Sequence, residues 1–341
     1  MVKKVTILGA SGYTGAELVR ILSNHPEFVI VALSADKKSG LEYRQVFPHF
    51  THLSLPQLIP IDEIDLESMD LVFAALPHAT GQSIIRKIPN KVKVVDLSAD
   101  FRIRDPKSYE KWYGVRHQAL ELQKEAVYGL TEFYRQQISV ARLVACTGCN
   151  AAAAMYPLLP LLENKLISVD NIVINLATGI SGAGRALKES SLHSEISEGF
   201  SAYSVANHRH LAEFNQEFSL AAGEPVKVSF TPHLAPQNRG ILATIYVEGG
   251  ADNIHKKLLD RYSEEPFIHV LPKGEVPSTR HVRGSNYCHI GVVGDSVKGK
   301  TILFSAIDNL TKGSSGQAVQ NANLMFNFEE TVALNLNPLF P

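Results

Sequence analysis

The sequence predicts an α/β fold: a Rossmann-type dinucleotide-binding domain followed by a mixed α+β domain. Three observations carry this. Val5-Thr6-Ile7-Leu8, an apolar run rich in β-branched residues, passes at once into the glycine-spaced loop Gly9-Ala10-Ser11-Gly12-Tyr13-Thr14-Gly15 and then into helical spacing over Ala16–Leu22. Further short apolar runs follow at Phe28–Leu33, Leu71–Leu76, Val92–Leu97 and Leu143–Ala145, the pattern of strands buried on both faces of a parallel sheet. From about Asn171 the pattern changes: Ile172–Ala177, Val226–Phe230, Ile241–Val247 and Thr301–Ala306 read as strands, several alternating apolar and polar residues as in a sheet with one exposed face.

Composition bounds the class. The chain has 341 residues, 45% hydrophobic and 20% charged, as expected for a soluble protein of two domains. A net charge of −1 leaves no basic surplus for nucleic acid or an anionic membrane, so neither is expected as a partner. Three cysteines make no disulfide framework and predict a reducing cytoplasm. Met1–Lys4 runs straight into the first strand, so no signal peptide is expected, and no apolar run reaches the length of a membrane span.

The first strand, glycine loop and helix form a dinucleotide-binding unit. Glycine lets backbone N–H groups approach a pyrophosphate that rests on the helix N-terminus, so Gly9, Ser11, Gly12, Tyr13, Thr14 and Gly15 are expected cofactor contacts. The spacing is Gly-x-x-Gly-x-x-Gly, not the commoner Gly-x-Gly-x-x-Gly. An NAD site usually ends its second strand on an acidic residue that bonds the ribose. Here Ser34 stands at that place, with Lys37 and Lys38 close behind, which favours a 2′-phosphate and hence NADP; Asp36 argues the other way. The loops Pro77–Gly81 and Ser98–Arg102 follow later strands, at the sheet edge where such folds bind ligands, and Arg102 can clamp a phosphate or carboxylate.

Cys149 follows the run Leu143–Ala145 and precedes Asn150-Ala151-Ala152-Ala153-Ala154, a good helix former. It should therefore begin a helix, where backbone N–H groups and the helix dipole favour a thiolate, the nucleophilic form. Cys146 and Cys149 also form Cys-x-x-Cys, a redox pair or half a zinc site. With only Cys288 remaining, zinc lacks ligands and no metal is expected; a regulatory disulfide is the remaining alternative.

The second domain carries further polar clusters. Thr178–Arg185 is glycine-rich, suiting either a ligand-closing loop with an anion-binding Arg185 or a flexible connector. Asn207-His208-Arg209-His210 places two imidazoles beside a guanidinium, with Glu213 three residues on, and histidine suits acid–base work near neutrality. Leu211–Phe214 reads as a helix start, so a positive helix end should lower the pKa of His210. That favours His210 as the acid–base group, His208 as a positioning residue and His233 as the reserve candidate. Pro232–Leu234 and Asn238–Gly240 flank a turn between strands. A nicotinamide domain, a thiolate and histidines together suggest acyl transfer to cysteine, then hydride reduction to an aldehyde.

Taken in order, these segments resemble the N-acetyl-gamma-glutamyl-phosphate reductases of arginine biosynthesis, relatives of the aspartate-semialdehyde dehydrogenases. The likeness rests on the glycine loop, Asp96–Arg102, Tyr128–Glu132, Gly148-Cys149, Ser181–Arg185, His208–His210, Pro232–Leu234, Arg239–Leu242, Asp308–Gly313 and Gly316–Asn321. It implies Cys149 as nucleophile, NADPH as hydride donor, a small acyl-phosphate substrate and a homodimer or homotetramer. Gly182 and Asn309 in these motifs are then added as cofactor contacts, and Ser98, Arg102, Arg185 and Arg209 as substrate contacts. The dinucleotide domain is expected over 1–148, with a C-terminal helix 314–341 packing back on it, and the catalytic and oligomerisation domain over 149–313. The family usually has Asn-Pro-Gly before this cysteine and Tyr-Pro-Thr after it. Cys146-Thr147-Gly148 and Asn150-Ala151-Ala152 depart from that, and Gly-Cys-Asn-Ala is similar to the related aminoadipyl-phosphate reductases of lysine biosynthesis. That substrate, and a non-catalytic NADP-binding regulator, are the alternatives.

Overall fold

A computed structural model describes residues 1–340. The chain forms two units: one from Met1–Thr147 with Ser314–Asn335, the other from Gly148–Gly313 with the residues from Leu336.

The first unit holds β1 (Lys3–Leu8), β2 (Phe28–Ser34), β3 (Leu58–Ile59), β4 (Leu71–Ala74), β5 (Lys93–Asp96), β6 (Val127–Gly129) and β7 (Leu143–Cys146). They form one sheet in the order β3-β2-β1-β4-β5-β7-β6, with every pairing parallel. The strands read as continuous apolar runs because both faces are covered: Val5, Ile7, Val72, Phe73, Val94 and Val144 are all fully buried. Strand order reverses between β1 and β4, so the loop after β1 opens at the switch point where such sheets take ligands.

The returning C-terminal segment corrects one expectation. Its helix runs only over Gly316–Met325, after a wide turn at Thr311–Ser315. Asn327, with φ 55°, lies in the left-handed region and prevents continuation. Buried amides as well as apolar contacts hold this helix in the unit. Thr131 donates to Asn321 Oδ1 at 2.7 Å, and Asn321 Nδ2 donates to the Gly129 carbonyl at 3.0 Å. From Leu336 the chain groups with the second unit, where the Leu339 N–H donates to the Arg283 carbonyl at 2.9 Å.

The second unit holds β8 (Val173–Gly179), β9 (Ser201–Ala202), β10 (Ser229–Ala235), β11 (Ile241–Glu248), β12 (Ile268–Val270), β13 (Cys288–Gly294) and β14 (Lys300–Ile307). Their order is β12-β13-β14-β11-β8-β10-β9, mixed parallel and antiparallel. β10 starts three residues later than the expected Val226–Phe230. Its register runs from Ser229 opposite Val173 to Ala235 opposite Gly179, so Pro232-His233-Leu234 lies inside the strand. Pairing with β8, not local propensity, sets that boundary.

One face of this sheet is covered by the helices Cys149–Glu163 and Ala251–Tyr262. The first of these is apolar all round and buried from Asn150 to Leu162, although Pro157 and Pro160 lie within it. Proline lacks the N–H that would reach the carbonyl four residues back. The Tyr156 carbonyl, deprived of its partner by Pro160, instead accepts from the Tyr262 hydroxyl at 2.5 Å.

Candidate active site

The dinucleotide loop is built by exclusion of side chains. Gly9 has φ 79°, and a Cβ there would stand 2.3 Å from the Ala75 carbonyl oxygen. A Cβ on Gly15 would meet the Ala10 Cα at 2.6 Å, because the helix start lies tight on the loop. Gly12, by contrast, would bring a Cβ only into ordinary contact, 3.6 Å from the Gly9 carbonyl oxygen, and caps the helix Tyr13–Leu22, whose first turn carries no acidic side chain. A cradle of backbone with its helix N-terminus open to an anion fits the pyrophosphate of a nicotinamide dinucleotide. Ser11, Tyr13 and Thr14 are partly or fully exposed around it. Ser34 is buried and its hydroxyl accepts the Gly9 N–H at 3.0 Å, so it shapes the loop, while Lys37 and Lys38 stand exposed beyond it.

Ser98 and Arg102 lie in a tightly bonded turn after β5. Ser98 donates its hydroxyl proton to Asp96 at 2.8 Å and accepts the Asp100 N–H at 3.1 Å. Arg102 is buried and donates to the Leu97 carbonyl at 3.1 Å. Asp100 accepts from the Ala79 N–H and the Tyr109 hydroxyl, which ties the Pro77–Gly81 loop to this turn. Burial, with Asp100 adding like charge, raises the Asp96 carboxyl to about 7. Both side chains are thus engaged in framing the loop.

Cys149 is the first residue of its helix, and Gly148 precedes it in an extended conformation. The sulfur is half-buried. Cys146 is buried, bonded by Asn321 Nδ2 at 3.5 Å, and burial pushes its thiol up to about 12; Cys288 is buried too, and none of the three is in a disulfide. Only Cys149 combines a helix start with access.

The histidine cluster meets the cysteine at Gly148. Glu213, fully buried, accepts the Gly148 N–H at 3.1 Å and lies 3.8 Å from His210 Nε2. A Cβ on Gly148 would stand 2.3 Å from that Nε2, so only glycine lets the imidazole reach the turn that carries Cys149. Gly313 closes the other side: a Cβ there would be 2.8 Å from the Cys149 Cβ. His210 begins the helix His210–Ala222. His208 is folded back so that its Nδ1 accepts the His210 N–H at 3.1 Å, and the two rings meet edge-on at 4.6 Å. Burial, then Arg209, lowers His208 to about 4, so it is the neutral imidazole. The lowering at His208 comes from burial rather than from a helix end.

The remaining expected residues are dispersed. Arg209 and Arg185 are exposed, and His233 stacks on Phe200 at 5.1 Å within β10. Asn309 spends its amide within the unit, accepting the Gly240 N–H at 2.8 Å and donating to Ser181 at 2.9 Å; Gly182 lies exposed beside it. Arg239 pairs with buried Asp308 at 3.4 Å. Asn150 and Tyr203 lie beside Cys149 without having been expected, and Glu213 had been noted only for its spacing from His210. A buried acid three residues after a histidine on a helix is the one signal that marked Glu213 in advance.

Two family models match: the NAD binding domain of semialdehyde dehydrogenases over residues 4–141 and their dimerisation domain over 149–309. The chain is 60% identical over 342 aligned residues, covering all of both chains, to an N-acetyl-gamma-glutamyl-phosphate reductase of Ruegeria pomeroyi. It is 58% identical to that of Rhodobacter capsulatus and 57% to that of Paracoccus denitrificans, again at full coverage. Among solved structures, aspartate semialdehyde dehydrogenase II of Vibrio cholerae complexed with ASA shares the fold, with a TM-score of 0.72 at 16% identity over 96% of this chain and 99% of that one. The aspartate semialdehyde dehydrogenase of Candida albicans with NADP gives a TM-score of 0.68 at 19% identity, over 96% and 99%. With a glycine cradle in one unit and a helix-start cysteine beside a histidine–glutamate pair in the other, the chain belongs to the N-acetyl-gamma-glutamyl-phosphate reductase family of semialdehyde dehydrogenases.

Proposed function

We propose that this protein reduces N-acetyl-gamma-glutamyl phosphate to N-acetyl-glutamate semialdehyde with release of phosphate, in the cytoplasm, as a step of arginine biosynthesis. The observation that carries the reading is Cys149 at a helix start, with His210 and Glu213 packed on the glycine before it. The Cys149 thiolate attacks the acyl carbon, a C–S bond forms, and phosphate departs with the electrons of the C–O bond. His210 takes the thiol proton and returns it to the sulfur when the oxyanion left by hydride addition collapses to the aldehyde and the C–S bond breaks. Glu213 holds Gly148 and orients His210, and His208 fixes the first turn of the His210 helix through that helix's own N–H. When bound, the nicotinamide cofactor supplies the hydride. Exposed Lys37 and Lys38 beyond β2, with no acidic residue ending that strand, support NADP over NAD. Arg185 and Arg209, both exposed in the second unit, are the cations best placed to reach a substrate anion; buried Ser98 and Arg102 act through the loop they frame.

The second sheet supports a homo-oligomer. Its face away from the helices presents Val173, Leu242, Tyr246, Ile302, Phe304 and Val293 across adjacent strands, an apolar surface that a second copy of the chain would cover. The reading is tested in reverse: N-acetyl-glutamate semialdehyde, phosphate and NADP should generate NADPH absorbance. The one-carbon-longer aminoadipate homologue should react far more slowly. Silence with both aldehydes would sink it.

A further inference from the structure

We propose that Asn150 and Tyr203 form a reversible relay that stabilises the Cys149 thiolate, with Asn150 contacting the sulfur and Tyr203 acting through it. The proposal rests on Cys149 being the nucleophile.

The geometry is local to the second unit. The Cys149 thiol donates to Asn150 Oδ1 at 3.7 Å, and Asn150 Nδ2 donates to the Tyr203 hydroxyl at 3.3 Å. Asn150 is 2% exposed, so water does not compete for its amide. Tyr203 is held from behind: its N–H donates to the Pro232 carbonyl at 3.0 Å, and its ring meets His208 edge-on at 5.6 Å. The segment carrying it contains Glu198, Ser204 and Ala206, all non-glycine residues at positive φ. That conformation costs energy and persists only where the surroundings enforce it.

A thiol needs an acceptor and a thiolate needs a donor. A carboxamide offers both, one at each end, and exchanges them by a half-turn of its terminal torsion. The exchange is cheap only if the group behind the amide can also serve both ways, which a phenol can do and most side chains cannot. With the thiol, Oδ1 faces sulfur and the phenol accepts from Nδ2. Once the thiol has lost its proton, to water in the unliganded enzyme, Nδ2 faces the sulfide and the phenol donates to Oδ1. No buried polar atom is left unsatisfied in either state. Burial, against the lowering effect of the Asn150 bond and with Cys149 adding to it, raises Tyr203 to about 12, so its hydroxyl keeps its proton throughout. His210 and Glu213 at Gly148 and the backbone of Gly313 also lie against this stretch. None of them needs to move for the amide to turn.

The experiment is the pH dependence of iodoacetamide alkylation at Cys149, read by mass spectrometry; Cys146 and Cys288 are buried and do not interfere. Asn150→Ala should raise the alkylation pKa by about one unit, a roughly tenfold loss of thiolate at neutral pH, with an unchanged rate on the alkaline plateau. Tyr203→Phe, which removes one oxygen, should move it in the same direction by less. The double variant should match Asn150→Ala alone, because the phenol acts through the amide. NADPH binding by fluorescence checks that each variant is folded, and Tyr203→Phe alone decides the relay if Asn150→Ala is not. An unshifted pKa in the folded single variants, or additive shifts in the double, would overturn the proposal. Alkylation of Cys149 in the unaltered protein without loss of turnover would instead overturn the nucleophile assignment.

Discussion

At the scale of single residues, reactivity here is a matter of surroundings rather than residue type. Cys146 and Cys149 stand three positions apart, yet one is buried with its proton held to about 12 and the other sits half-exposed at a helix start. Cys149→Ser is therefore expected to abolish turnover while NADPH binding, measured by fluorescence, persists. Cys146→Ser should retain most activity. His210→Asn should cost roughly two to four orders of magnitude in kcat and remove the histidine limb of the pH–rate profile. Glu213→Gln can still accept the Gly148 N–H but loses its charge. A tenfold to hundredfold fall in kcat, roughly the value of one charge-assisted hydrogen bond, is expected with KM little changed. Equal kcat in Glu213→Gln and the unaltered protein would remove the glutamate from the mechanism.

At the scale of elements, two devices govern function and stability. The loop after β1 depends on Gly9, whose positive φ and 2.3 Å approach to Ala75 admit no side chain. Gly9→Ala should displace the loop and lose NADPH binding, seen as a lost fluorescence change, while the alkylation rate of Cys149 is unaltered. The helix that Cys149 begins depends on Tyr262, which satisfies the carbonyl freed by Pro160. Tyr262→Phe leaves that buried carbonyl unpaired and should destabilise the protein by about 1–3 kcal/mol in chemical denaturation. A change indistinguishable from zero would mean that another donor takes its place.

At the scale of the whole molecule, pH acts through buried groups of opposite sign. His208 is held below its unfolded pKa of 6.5, at about 4. The unfolded chain binds the extra proton between those values, so its contribution is full above 6.5 and is lost as pH falls toward 4. Asp96 is raised from 3.8 to about 7, so its contribution is full below 3.8 and is lost as pH rises toward 7. The two windows overlap with opposite slopes. Asp96→Asn should therefore steepen the rise of Tm with pH across the acidic range, by removing the term that falls. The oligomer is tested by Phe304→Glu at the centre of the open sheet face, which should give monomers in sedimentation. An undisturbed oligomer would move the interface elsewhere.

Much of this was legible in the sequence because it is written locally. Buried parallel strands read as continuous apolar runs, a glycine-spaced turn between strand and helix has one geometry, and polyalanine after Cys149 demands a helix start. The order of those motifs also indicated the family. What depended on contacts between distant residues was not legible. The start of β10 moved because pairing with β8 overrides the propensity of Val226–Val228. The C-terminal segment divides between units because a short helix locked by amides at Asn321 gives way to a tail bonded at Arg283. Ser34 and Ser98 also support loops, their hydroxyls bonded to the Gly9 N–H and to Asp96. Likewise His208 and His210, two residues apart, are placed differently: the His208 ring turns onto the His210 N–H, while His210 reaches toward Gly148. Glu213 reaches Gly148 across sixty-five positions. The sequence by itself determined which chemistry the chain carries. Which of its cysteines, histidines and acids are placed for it depended on the tertiary structure, because burial and hydrogen-bond partners, not residue identity, set each proton's affinity.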